Sequence, residues 1–152
     1  MKHGRYLTGC VVLLSVLGSL SCTSRQSAQG VKAMPELAVG QVWGYKTRTG
    51  DEGSTLTIGK LETIPEVGAV VHISISGVHV KNLHVAGGYN TELPHAPFSQ
   101  AALIQSLTTL VRQAEPPPEF ETGYQEWQKA RGGVFTVSVA EAVDFAEQAL
   151  NQ

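Results

Sequence analysis

Hydrophobic and polar positions divide the 152-residue chain into three regimes. Residues 10–17 form an apolar run broken only by Ser15, residues 23–36 have no period, and from Val39 onward two periods succeed one another. Gln41 to Thr49 alternates, with Trp43, Tyr45 and Thr47 on one side and Lys46 and Arg48 on the other, which predicts a half-buried strand. Gly50-Asp51-Glu52-Gly53 is a turn cluster, and Ser54 to Thr63 predicts the returning strand of a hairpin. Leu56 and Ile58 share a face that Leu61 joins only if one residue is inserted, so a β-bulge is expected at Gly59. After a turn at Pro65 to Gly68, Ala69 to Ser76 gives the clearest strand, with Val71, Ile73 and Ile75 inward and Val70, His72 and Ser74 facing the other way. Ser76-Gly77 then either bends that strand or turns tightly into another over Val78 to Leu83. Under the bend, His79 and Lys81 join His72 and Ser74 on one outer face.

The second half changes period. Residues 84–98 have no repeat and carry two Gly and two Pro, which predicts a long loop, of a length that leans functional or mobile. Ser99 is placed to cap a helix running to about Ala114, with Phe98 and Leu103 as a hydrophobic staple. Leu103, Ile104, Leu107, Leu110, Val111 and Ala114 would fill one stripe of it. The run Glu115-Pro116-Pro117-Pro118-Glu119 stops that helix. Thr122 with Gln125 predicts a capping box for a short helix lining up Phe120, Tyr124 and Trp127, ended by Gly132-Gly133. Val134 to Val137 predicts a last short strand. Ser138 with Glu141 predicts a capping box for a final helix burying Val139, Ala142, Val143, Ala146 and Leu150. Strands first and helices later, without βαβ alternation, predict an α+β domain: an antiparallel meander of three to five strands packed against two or three C-terminal helices.

The N-terminus sets the expected address. Lys2 and Arg5 precede the apolar run, and Gly18, Ser19 and Ser21 lead into Cys22. This is the plan of an export signal over residues 1–21, too short in its apolar part to span a bilayer. Ser19-Leu20-Ser21-Cys22 resembles the lipobox of bacterial lipoproteins, although Ser19 stands where that pattern usually has Leu. The resemblance implies lipidation of Cys22, a lipid bilayer as one partner, and a place in the cell envelope facing the periplasm. Thr23 after the cysteine, by analogy with enteric sorting, implies the outer membrane. Residues 22–37 are expected to be a flexible tether with a reach of roughly 20 Å, and 38–152 a single domain.

Composition narrows the chemistry. The only cysteines are Cys10 and Cys22, so the exported part has neither disulfide nor thiolate metal site. Removing Lys2 and Arg5 from a net charge of -2 leaves -4, with the basic residues scattered singly, which makes nucleic acid a poor partner. No cofactor motif is present; Gly87-Gly88 lacks the following Lys-Ser/Thr of a phosphate loop.

The blocks TRTGDEGSTLTIGKLE, VVHISISGVHVKN, HAPFSQAALIQSL and GYQEWQKARGGVFTVSVAEAV resemble a small bacterial family of unknown function. The likeness covers about residues 40–150 and implies one self-contained domain; it brings no activity with it.

Candidate sites divide by chemistry. His95 and Ser99 offer a base and a hydroxyl nucleophile four residues apart, without the GxSxG elbow or a carboxylate placed to orient the imidazole. Ser99 as N-cap is the structural reading. His72 and His79 could share a sheet face and hold a metal, though no HxH, HxxxH or HExxH spacing occurs. Asp51-Glu52 reads as a solvated turn pair, not as paired acid and base. Tyr89, His95, Tyr124 and Trp127 are the candidate binding residues, since Tyr and Trp beside a loop are common interface anchors; packing of the short helix onto the sheet is the other reading of Phe120, Tyr124 and Trp127. The expectation is therefore a monomeric or weakly dimeric envelope lipoprotein that works by binding another protein, as an inhibitor, immunity-type or accessory subunit. An envelope hydrolase using His95 and Ser99 is the alternative, and metal or small-ligand capture by the histidine face a third.

Overall fold

The fold is that of a computed structural model, which describes residues 34–152; the expected signal segment, Cys22 and residues 22–33 of the tether lie outside them. Residues 34–152 form a compact unit, and Leu37 packs on its core. The elements are β1 (Gln41–Tyr45), β2 (Thr55–Ile64), β3 (Gly68–Lys81), β4 (Tyr89–Ser99), α1 (Gln100–Ser106), β5 (Leu107–Gln113), α2 (Glu119–Ala130) and α3 (Val139–Leu150). The five strands make one antiparallel sheet in the order β4-β3-β2-β1-β5. The protein is α+β, as the order of its patterns predicts.

The β2–β3 pairing carries the expected bulge: the register slips between Ile58 and Lys60, at Gly59. The slip brings Leu61 opposite Val71 and turns Lys60 and Glu62 toward the other face, opposite His72 and Val70. Glycine is needed there for a second reason, because Phe120 lies on it; a Cβ at position 59 would stand 2.2 Å from Phe120 Cζ. β3 takes the bend at Gly77, whose φ of 80° suits glycine, and runs on to Lys81 with Val78 and Val80 fully buried.

The core on one face joins Trp43, Leu56, Ile58, Ile73 and Phe98 to Leu103 of α1 and to Val139 and Val143 of α3. The opposite face of β3 is buried too. Val70, His72 and Ser74, expected to face outward, are all inaccessible, and α2 lies over His72 with Tyr124 and Trp127 against its ring. A sheet clad on both sides reads as a near-continuous apolar run, and Ala69 to Ile75 escapes that only through His72 and Ser74.

Four further expectations are corrected. Residues 84–98 are not a loop: β4 begins at Tyr89, and Pro94 and Pro97 are tolerated because β4 is an edge strand, where a missing N–H forfeits no ladder bond. The helix capped by Ser99 ends at Ser106, not near Ala114. Leu107-Thr108-Thr109-Leu110-Val111 pairs with β1 instead, its apolar spacing fitting either structure while its β-branched residues favour the strand. The Thr122–Gln125 capping box does not form, since α2 starts four residues earlier, directly after the prolines, with Pro118 at the N-cap. Val134 to Val137 is not a full strand; Phe135 alone bridges Phe98, exchanging hydrogen bonds with Pro97 and Ser99. The Ser138–Glu141 capping box is present in full, with both reciprocal bonds made.

Candidate functional site: a polar and aromatic cluster beside an apolar groove

Under α2, three strands converge on one hydrogen-bonded chain. β3 supplies His72, which is 0% exposed; β4 supplies His95; β2, through the bulge, supplies Lys60 and Glu62. His72 Nε2 lies 2.8 Å from Glu62 Oε1, and His72 Nδ1 lies 2.9 Å from His95 Nε2. A carboxylate only accepts, so His72 holds its proton on Nε2, its Nδ1 is the acceptor, and His95 donates from Nε2. The chain of donors thus runs His95 to His72 to Glu62. Tyr124 of α2 closes it: its hydroxyl donates to Glu62 at 3.2 Å and accepts from Lys60 Nζ and Gln128 Nε2, both at 2.7 Å.

Aromatic rings enclose this chain. Tyr124 and Trp127 meet the His72 ring edge-on at centroid distances of 5.0 and 4.9 Å, and Phe120 meets the His95 ring at 5.5 Å. α2 approaches β4 closely enough that a Cβ on Gly123 would fall 2.7 Å from His95 Cβ. Burial is the main cause that lowers the His72 imidazole below its ordinary range, against the pull of Glu62, and burial followed by the neighbouring His72 pushes His95 down to about 4. Both rings are therefore neutral near pH 7. The hydrogen bond that Lys60 donates to Tyr124 raises the Lys60 ammonium in turn and keeps it a cation.

Where the bulged end of β2 leaves α2, a groove of about 570 Å³ opens, with Glu62 and Trp127 shared between it and the cluster. Ile64, Val67, Trp127 and Val134 give it apolar walls, and Glu62 and Arg131 are its only ionisable lining residues. The volume is that of ordinary small-ligand sites, which run from roughly 300 to 1,000 Å³.

The candidates read from the sequence fall in three places. His95, Tyr124 and Trp127 come together as one cluster, whereas Tyr89 lies exposed in a shallow depression with His79, Lys81, Arg48 and Glu147. His95 and Ser99 are not joined: His95 spends Nε2 on His72, while Ser99 Oγ accepts from Ala102 N at the start of α1. His72 and His79 are also separated in role, since His79 is exposed and sits 3.6 Å from Asp51. Among the described residues no group of three or more His, Cys, Asp or Glu side chains is placed to hold a metal. Asp51 is not a solvated turn residue. It is 1% exposed and accepts from Arg48 Nε and His79 N, both at 2.7 Å, and Arg48 reaches on to Asp144 and Glu147 of α3.

Sequence reasoning missed Lys60, Glu62, Gln128 and Arg131. The first two were within reach, because the bulge expected at Gly59 fixes their parity; the last two lie on the outer turns of α2, where nothing in the pattern singles them out. Comparison with protein-family models, with curated proteins and with solved structures finds no match.

Proposed function

We propose that this protein is a non-catalytic binding module, tethered to the cell envelope through lipidated Cys22, whose partner seats an apolar group in the groove beside Trp127. The observation that carries the reading is the groove itself, open and apolar-walled against a cluster whose hydrogen bonds are already made internally. Every polar atom of Tyr124 and His72 is engaged within the protein, which suits a rigid wall better than a reacting group. Among the described residues no hydroxyl or thiol is hydrogen-bonded to His95, whose Nε2 is engaged by His72, which weighs against the hydrolase alternative.

Val67 makes the test, because its side chain lines the groove and is 52% exposed, so changing it leaves the core intact. Residues 34–152, immobilised, should capture a partner from envelope extract at physiological salt, and Val67→Glu should abolish that capture with an unchanged circular dichroism spectrum. Equal capture by the two proteins, or none by either, overturns the reading. The anchor is checked separately: the mature chain should begin at an acylated Cys22 by mass spectrometry.

A further inference from the structure

α2 is held to the sheet by little besides what lies directly beneath it. None of its residues joins the core of the opposite face, and among the described residues it makes no ion pair. Among those residues every hydrogen bond from α2 to the sheet passes through one hydroxyl, that of Tyr124, which meets Lys60 and Glu62 of β2. The rest of its footing is aromatic, with Phe120 on Gly59 and His95, and Tyr124 and Trp127 on His72. Its ends suit movement as a unit. A stiff run, Pro116-Pro117-Pro118, leads in, and two glycines, Gly132-Gly133, lead out.

The chain beneath α2 has room for one further proton, not two. His95 donates from Nε2 to His72 Nδ1, so a proton on the other nitrogen of His95 leaves that bond in place. A proton on His72 Nδ1 does not, because two N–H groups would then face each other across 2.9 Å. The charges around the pair offer little relief. β2 brings Glu62, which favours a proton on His72, and Lys60, which opposes it. α2 brings the rings of Phe120, Tyr124 and Trp127 but no carboxylate to either imidazole; Glu121 of α2 acts on Lys60 instead. A first proton thus enters a site that burial already makes unfavourable, and a second breaks the chain. With α2 lifted, both imidazoles meet water and titrate near 6.5.

We propose that α2 is an acid-released lid: protonation of the His72–His95 pair frees it from the sheet while the core of the opposite face stays folded. The groove takes Trp127, Gln128 and Arg131 from α2 and its cap, so it comes apart with the lid. The use of this release as a gate rests on the groove being the binding site; the lid itself does not.

Amide hydrogen exchange of residues 34–152 in low urea, corrected for the intrinsic rate at each pH, reads the lid without any partner. The α2 amides should be less protected than those of Val71 to Ile75 in β3 and should exchange through an opening that depends only weakly on urea. With His95 held at about 4 under the lid and near 6.5 in water, that opening should become roughly thirtyfold more favourable from pH 7 to pH 5. His95→Gln should lose most of this gain. Amides of α2 as protected and as urea-sensitive as those of β3 would mean that α2 leaves only when the whole domain unfolds, which overturns the lid. An opening indifferent to pH, or equally responsive in His95→Gln, overturns its release by acid. The gate is read apart from this: partner captured at pH 7 should be released at pH 5 from the wild type more than from His95→Gln. Equal release overturns the gate, and no capture at pH 7 overturns the binding reading and the gate together while the exchange result on the lid stands.

Discussion

At the scale of single residues, the charged side chains divide into those that hold the fold together and those that do not. Asp51 is the clearest of the first kind. It sits in a four-residue turn cluster, yet its carboxylate is buried and ties the Arg48 guanidinium and the His79 backbone to the β1–β2 connection. Arg48 extends the tie to α3 through Asp144 at 2.9 Å and Glu147 at 3.2 Å. Removing the buried partner takes from a guanidinium at 15% exposure its closest carboxylate and leaves the His79 amide unpaired, so Asp51→Ala should destabilise the domain by about 3 kcal/mol in urea unfolding. Glu147→Gln, on the more exposed arm of the same network, should cost less than about 1 kcal/mol. Similar losses for the two would show that the network is held by α3 and not by the turn. None of this was legible from the sequence, where Asp51-Glu52 between two glycines has the composition of a solvated turn; burial of the first carboxylate is decided by an arginine three residues upstream and a helix almost a hundred residues downstream.

Elements were legible where one period had no rival. The hairpin of β2 and β3, the Gly59 bulge, the Ser99 cap and the capping box of α3 all follow from local pattern, and all are present. The stretch from Leu103 to Val111 was not, because apolar residues at helical spacing also suit a strand, and pairing with β1 chose between them. β4 was hidden by its prolines, which an edge position excuses. The candidate site was half legible: the aromatic line of α2 was visible, but its seat over His72 required knowing that the sheet is covered on both faces. Gly59 is the joint between these levels, serving both the bulge and the contact with Phe120. Gly59→Ala should therefore destabilise by about 2–3 kcal/mol, the usual penalty for overpacking a close contact. In a Phe120→Leu background the same change should cost much less, a coupling of roughly 1 kcal/mol or more in a double-mutant cycle. Additive effects would mean that the bulge conformation alone demands glycine, and that α2 does not press on it.

For the whole molecule, the histidines under α2 make stability depend on pH in a defined direction. An imidazole in the unfolded chain titrates near 6.5, whereas burial holds His95 in the fold down to about 4 and lowers His72 in the same sense. Between those values the unfolded chain takes up protons that the native one refuses. Stability should thus stand on a plateau above about pH 7 and fall as the pH drops toward 4, His95 alone contributing up to about 3 kcal/mol. The charged neighbours act within this frame: Glu62 favours the proton on His72, and Lys60 opposes it. His95→Gln separates this loss from the general protonation of carboxylates, which lies mostly below the window. The amide can still donate from Nε2 to His72 Nδ1, so the chain to Glu62 is kept while the titrating ring is gone. Urea midpoints measured from pH 8 to 4 should fall less steeply in the variant than in the wild type, with the two curves diverging below about pH 6.5. Parallel curves would mean that the His95 ring is not the proton-refusing group, and that α2 is held over the sheet by its aromatic contacts whatever the charge beneath it.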